Sequence, residues 1–534
     1  MQVPPDRPWL KHYPPNIPRE VEPVPMPIGD YLKKGLREFP QNDALIFYGM
    51  RTPYAKLDDQ VDRVATALHK MGVRKGDRVA MYMPNCPAYV ISDFAALRLG
   101  AIIVNTNPLF VERELEHQLK DSGAETLIAY DQLLPKVQAV RERTSLKNVV
   151  SVGLLAPPKP ARGVTPFEAL LKAPREPPEV RVGLDDVAFL QYTGGTTGFP
   201  KCAIHTHGTV GAQIAQLQSW FVNDRPGGER TLLVMPLFHV YGLITLFRTL
   251  FGGSTIILLP RFDLEEFLKT IEQTKPTWMP VVPTIFTALI NHPRGPEVVK
   301  TIRSCLSGAA PLPLEVLRKF EELTGGVIAE GYGMTEMCAG SHVNPPFGKR
   351  KPGTVGIPLP GVDSKIVDVN DGAKELPPGE VGELVMRGPQ MMKGYWNQPE
   401  ETAKTVRDGW LYTGDIGRMD EEGYFSIVDR KKDMLLCGGY NVYPVEIESV
   451  LYEHPKVKEA AVVGVPDTYR GESPKAFVVL KEGQSATEQE LLDYCRTKLA
   501  AYKAPRFVEF RKELPKTLIG KILRKELRAT SQRG

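Results

Sequence analysis

Between Tyr54 and Tyr130 two textures alternate along the chain: an amphipathic run LDDQVDRVATALHKMG, an apolar run DRVAMYMP, a second helical run to Gly100, then AIIVNTNP. A helix with one apolar stripe needs an apolar surface to cover. A short run of β-forming apolar residues supplies it, so the alternation implies βα units around a mostly parallel sheet. A second set, with strands VAFLQYT, TLLVMP and STIILLP, follows a Pro-rich stretch from Pro157 to Pro178 that reads as a surface crossing. From about Thr354 to Phe425 the pieces are short and β-like, SKIVDV, GELVMRG and GYFSIVD, separated by Gly and Pro, as in a small β-rich subdomain. Beyond Arg430 come a helix opening at Pro444, strands EAAVVGVP and KAFVVL, and a helix begun by Thr487 with Glu490, a capping box. The expected fold class is α/β. A large N-terminal domain, 1–431, holds two βαβ-type subdomains and the β-rich one, and a small α/β domain, 432–534, follows.

At 534 residues the chain exceeds one compact domain several times over. Its 67 Lys and Arg against 63 Asp and Glu leave a formal charge of only +4, without the concentrated basic surplus of a nucleic-acid protein. Cys86, Cys202, Cys305, Cys338, Cys437 and Cys495 are scattered, with no CxxC pair and no His at metal-ligand spacing, so they read as reduced packing residues. The Pro-rich, charged start lacks the apolar core of a signal peptide. No apolar stretch is long enough for a transmembrane helix; the strongest, GLITLFRTLFGG, is short and carries Arg248. A cytoplasmic protein is expected, with room left for peripheral membrane contact and for a homodimer.

The sharpest chemical signal is YTGGTTGFPKCAIHTHG, Tyr192 to Gly208, directly after VAFLQ. Thr193, Gly194, Gly195, Thr196, Thr197 and Gly198 let the backbone approach closely and offer N–H and hydroxyl donors, while Lys201 adds positive charge; this suits a polyphosphate. It is not a Walker A loop, because Pro200 precedes the lysine and Cys202 follows it.

This loop resembles the phosphate loop of the adenylate-forming superfamily of acyl-CoA synthetases, adenylation domains and luciferases. The superfamily's other hallmarks follow in order: MPLFHVYG with His239, SGAAPL with Gly308, Ala309 and Ala310, and EGYGMTE with Gly331, Tyr332, Gly333, Met334, Thr335 and Glu336. After them come LYTGDIG with Asp415, VDRKKD with Arg430, and PKTLIGKILRKEL with Lys521. The opening RPWLKHYP and HVNPPFGKRKPGTVGIPLPG are most similar to bacterial-type long-chain fatty acid CoA ligases.

The resemblance implies a site bound to ATP and Mg²⁺, with coenzyme A as co-substrate and a small carboxylic acid as the group activated. Tyr332 would stack on adenine, and Glu336 and Thr193 would hold Mg²⁺, a hard ion that keeps phosphate and water in its shell. Asp415 would accept from the ribose hydroxyls and Arg430 would add a ribose or phosphate contact. Lys521 would bridge the substrate carboxylate and the α-phosphate, and His239 is counted with it in the catalytic set. No general base is required, since the attacking carboxylate is already ionised. In this superfamily the small domain rotates about the residue matching Lys432. Gly438 and Gly439 would then leave passage for a pantetheine arm lined by Tyr440. Cys437 shows no mark of an activated thiolate, which argues against an acyl-enzyme.

The acyl pocket is less legible; LFHVYGLITLFRTLFGG and TWMPVVPTIFTAL are apolar enough to line a channel, or to be core. An aryl-CoA ligase remains the alternative. A ligase serving a carrier protein is disfavoured, since the chain stops thirteen residues after Lys521. A luciferase-like oxygenase would share the adenylation residues, and a nucleotide-binding protein with a dead site is opposed by the intact set Lys201, Glu336, Asp415, Arg430 and Lys521.

Overall fold

The computed structural model describes residues 7–193, 200–310, 312–431, 433–437, 440–467, 471–499, 503–516 and 522–531. Two compact units emerge: Met1–Asp363 with Arg387–Gly409, and Ser364–Met386 with Trp410–Gly534. This is a division by compactness; the boundary expected at 431/432 concerns a rotation and is taken up below.

The first unit is built on two sheets. One runs in the order Thr165–Pro166, Asn148–Val152, Thr126–Tyr130, Arg78–Tyr82, Ile102–Asn105, Val187–Tyr192, Cys202–Thr206, parallel throughout except for the last pair. The other has a parallel centre, Val327–Tyr332, Ser304–Ser307, Trp278–Val281, Arg230–Leu233, Thr255–Leu258 and Asp43–Phe47, with antiparallel edges. Parallel strands of this kind need cover on both faces, and every residue of Ile102–Asn105 and Thr255–Leu258 is buried. The helix Tyr54–Lys70 buries Leu57, Val61, Val64, Ala65 and Leu68 at helical spacing and so lies on one face. In contrast, Pro87–Arg98 is buried nearly all round.

The Pro-rich stretch is more ordered than a plain surface crossing. Thr165–Pro166 adds an edge strand beside Val150 and Ser151, where a proline is tolerated, and Phe167–Leu170 makes one helical turn that buries Phe167 and Leu170. Two large apolar side chains among prolines are reason enough for the segment to fold back.

In the second unit Gly382–Arg387 pairs with Trp410–Met419, which pairs with Phe425–Arg430. The last hundred residues form a sheet in which Val457–Asp467 and Gly471–Leu480 are antiparallel and Phe507–Phe510 joins in parallel. Alternation sorts the side chains. Ala460, Val462, Ala476 and Val478 face the helices Pro444–Tyr452 and Glu488–Lys498, while Ala461, Val463 and Phe477 face Leu514 and Leu527. Thr487 caps its helix through Glu490 N–H at 3.1 Å. All six cysteines are free and buried.

A buried charge network ties the first unit together. Asp58 and Asp62 each bond Arg98 and Arg175, the latter at 2.6 and 2.8 Å, which joins two helices to the end of the Pro-rich segment. Arg98→Met leaves two buried carboxylates to the half-exposed Arg175 alone. The expected outcome is a loss on the order of 3 kcal/mol, read as a lower thermal midpoint in calorimetry, with Arg175→Met costing less.

Candidate active site

Parallel sheets gather the loops that follow their strands at one edge, the usual place for a ligand in such folds. Val187–Tyr192 ends at Thr193, Arg230–Leu233 leads to His239, Ser304–Ser307 ends at Gly308, and Val327–Tyr332 runs into Gly333. The two strands that flank the glycine-threonine motif pair with each other: Val187–Tyr192 runs antiparallel to Cys202–Thr206 as a hairpin, and Thr193 N–H donates to the Lys201 carbonyl at 2.7 Å. Thr193 and Lys201 therefore stand opposite each other at its neck. Gly194, Gly195, Thr196, Thr197 and Gly198 lie outside the described residues.

Glu336 sits on a short 3₁₀ turn, Thr335–Met337, and is only 8% exposed. The turn is entered through Gly333 and Met334. A Cβ at Gly333 would lie 1.6 Å from the Ala339 carbonyl oxygen, so the loop closes tightly only because a glycine stands there. Cys338 and Ala339 take positive φ, 51° and 97°, and so does Ala309 at 68°; for non-glycine residues this is uncommon backbone, of the kind that gathers at ligand loops. His205, on the strand after the phosphate loop, bonds the Thr335 carbonyl through Nε2 at 2.8 Å. Burial pushes its imidazole down to about 4, so it is neutral and donates to that carbonyl. Gly331 and Tyr332 are held by pairing with His342 and Val343, and the Tyr332 ring meets His342 edge-on at 5.9 Å.

What sequence reasoning missed is the segment Met392 to Trp396. Lys393 N–H donates to the Ile204 carbonyl, Ile204 N–H to the Gly394 carbonyl and Trp396 N–H to the Cys202 carbonyl at 2.8–3.0 Å, so the segment runs as an added strand beside Cys202–Thr206. Met392 N–H also bonds the Glu336 carbonyl at 2.8 Å. Tyr395 thereby reaches both motifs: its hydroxyl donates to Glu336 Oε1 at 2.7 Å and Lys201 Nζ lies 5.0 Å from its ring centre. Lys201 also pairs with Glu401 at 2.8 Å, and with Lys404 it holds the Glu401 carboxyl at about 2. The signal in MKGYWNQPEE was weak, an aromatic pair beside a glycine with no periodicity.

His239 caps the helix Val240–Phe251, its Nδ1 accepting from Tyr241 N–H at 3.3 Å. Its loop is held from below. Gln191 donates to the Phe238 carbonyl at 2.7 Å and accepts from Asn105, which accepts from the Tyr89 hydroxyl, while Asn85 bonds Leu237 N–H and the Met235 carbonyl. These buried amides, also unforeseen, tie the His239 loop to the strand that ends at Thr193. Gly308 lies against the Tyr241 ring, whose hydroxyl bonds the Leu306 carbonyl at 2.8 Å. The helix is buried along its length; Arg248, which interrupts its apolar run, pairs with Asp224 and lies 5.0 Å from both the Phe221 and Trp278 rings.

In the second unit Asp415 and Arg430 face each other across adjacent strands, Arg430 Nε 3.3 Å from Asp415 Oδ1. Asp415 is 8% exposed, and its N–H is bonded to the Thr413 hydroxyl. Tyr440 opens the strand Tyr440–Val442. Lys432, Gly438, Gly439 and Lys521 lie outside the described residues. Arg524, three residues after Lys521, is anchored by a two-point pair with buried Glu448 at 2.6–2.8 Å.

Among the described residues no cluster of three His, Cys, Asp or Glu forms a metal cage. Glu336 is a single buried carboxylate, a hard oxygen donor of the kind a phosphate-bound divalent cation would take. The chain belongs to the AMP-binding enzyme family: residues 32–396 match that family and 446–521 its C-terminal domain. It is 43% identical to a long-chain-fatty-acid–CoA ligase of Bacillus subtilis over 98% of this chain and 97% of that one. It is 39% identical to a feruloyl-CoA synthase of an Amycolatopsis species, covering 94% and 98% of the two. An anthranilate CoA ligase solved with anthranoyl-AMP superimposes with a TM-score of 0.88 at 32% identity, covering 96% and 98% of the two chains.

Two outcomes follow from this geometry. Gly333→Ala forces the turn away from Ala339 and is expected to weaken ATP binding, measured by calorimetry, about tenfold or more. His205, His207 and His342 are all buried and held by burial to about 4, 4 and 3, against an ordinary 6.5. Below pH 6.5 the unfolded chain binds protons that the folded chain refuses, so stability is full above that value and is lost as pH falls toward 4. The melting midpoint should drop through that window, and less steeply in His205→Gln.

Proposed function

We propose that the chain activates a fatty acid with Mg²⁺ and ATP, forms the acyl-adenylate with release of pyrophosphate, and passes the acyl group to coenzyme A. One observation supports this reading: Thr193, Lys201, Tyr395 and Glu336 form a continuous run of contacts, which links the neck of the hairpin to a buried carboxylate. The long-chain substrate class rests on the relative from B. subtilis.

In this reading Lys201 and the loop hold the β- and γ-phosphates, Glu336 and Thr193 hold Mg²⁺, and Tyr332 packs on adenine above Gly308, Ala309 and Ala310. Bound Mg²⁺ neutralises charge on the phosphate oxygens. Asp415 accepts from the ribose hydroxyls, and Arg430, already beside it, adds a second contact. The substrate carboxylate attacks the α-phosphorus, the bond to the bridging oxygen breaks and pyrophosphate leaves. Lys521 stabilises the charge of that transition state. Rotation of 432–534 about Lys432 then exchanges Lys521 for Gly438, Gly439 and Tyr440, and the thiol attacks the acyl carbon to expel AMP. His239 shapes the acyl and thiol approach from the head of its helix. No helix among the described residues is long and apolar enough to cross a membrane; a cytoplasmic enzyme that collects fatty acids at membrane surfaces, as a monomer or homodimer, fits this chemistry.

Pyrophosphate release should be measured with acetate, benzoate, octanoate and palmitate, each with and without CoA. Palmitate or octanoate with CoA is expected to dominate; benzoate dominance would move the enzyme to the aryl ligases, and release independent of acid would sink the ligase reading. Lys521→Ala is expected to lose about 3 kcal/mol of transition-state stabilisation in adenylate formation, while still transferring acyl from supplied acyl-adenylate to CoA. Equal loss of both half-reactions would reassign the lysine.

A further inference from the structure

A carboxylate that meets a metal-bound nucleotide has two requirements that pull apart. It must be largely out of water, and it must stay ionised with its oxygens aimed. Glu336 is buried, and its carboxylate accepts from a phenol carried by a distant part of the chain: Tyr395 Oη at 2.7 Å. That phenol is itself fixed. Tyr395 is 6% exposed, its N–H bonds the Thr402 hydroxyl at 2.8 Å, and its neighbours Gly394 and Trp396 are bonded to the strand Cys202–Thr206. Trp396 Nε1 adds a bond to the Asp121 carbonyl at 3.0 Å. Over the face of the same ring lies Lys201 Nζ, 5.0 Å from the ring centre.

We propose that Tyr395 is a positioning residue for the metal-nucleotide complex, its hydroxyl setting the orientation of Glu336 and its ring setting the approach of Lys201. Resting on the reading of Glu336 given above, it makes a distinction that reading does not. A tyrosine kept for packing would serve equally well as phenylalanine, because the ring, the backbone bonds and the cation above the ring are all retained. What is lost is the bond to the carboxylate, together with the phenol oxygen's contact with Thr405. A partner behind a metal ligand typically contributes ten- to a hundredfold in metal affinity.

The test is Tyr395→Phe, with ATP binding followed by calorimetry at rising Mg²⁺, in the absence of acid and CoA. The Mg²⁺ concentration giving half-maximal ATP affinity is expected to rise about tenfold, and ATP affinity at saturating Mg²⁺ to return to within about threefold of the native value. An unchanged Mg²⁺ midpoint would overturn the proposal. So would an equal loss of ATP affinity at all Mg²⁺ concentrations, which is what a general packing defect produces. Because acid and CoA are left out, a native protein that binds ATP with Mg²⁺ yet releases no pyrophosphate would defeat the ligase reading without touching this result.

Discussion

The hydrogen bond from the Tyr395 hydroxyl to Glu336 joins two distant stretches of the large unit. It exists because Met392 to Trp396 lies along Cys202–Thr206 as an extra strand, and that strand exists because the hairpin closed at Thr193 and Lys201 leaves its outer edge free for pairing. An unpaired edge is a standing demand for backbone partners. Here the partner brings an aromatic donor with it, and the hairpin neck at Lys201 is thereby linked to a buried carboxylate that lies well over a hundred residues further along the chain.

Around this contact the polar interior is arranged for rigidity. Asn85, Asn105, Gln191 and the Tyr89 hydroxyl are buried and bonded to one another or to backbone, and what they hold is the loop carrying His239. Such groups are costly unless satisfied, and once satisfied they specify one arrangement. His205 does the same for the turn of Glu336, and it can do so as a neutral donor because burial keeps its charged form out of reach. The positive φ values of Ala309, Cys338 and Ala339 mark where the backbone is bent to place these loops.

The second unit follows a different logic. Asp415 and Arg430 are brought together by strand register, a local device that needs no long-range support. The Glu448–Arg524 pair performs the equivalent task for the helix Arg524–Ser531, together with buried Leu527 and the Arg528–Asp433 pair. Relatives named for aliphatic and aryl acids match this chain over nearly its whole length, so the fold by itself does not select the acid.

Sequence alone determined the α/β class, the parallel character of the sheets, the capped helix at Thr487 and the identity of the chemical motifs, because periodicity and glycine-rich loops are local properties written in neighbouring residues. It misjudged the Pro-rich stretch, where composition spoke for a loop and two buried side chains, Phe167 and Leu170, decided otherwise. It was silent on Tyr395, Gln191, Asn105, Asn85 and His205. Their roles are contacts between residues far apart in the chain, and nothing in the local pattern of an asparagine or a tyrosine distinguishes a buried positioning group from an ordinary one. Only the tertiary structure, by pairing one edge strand with a distant segment, decided which of them would meet the site.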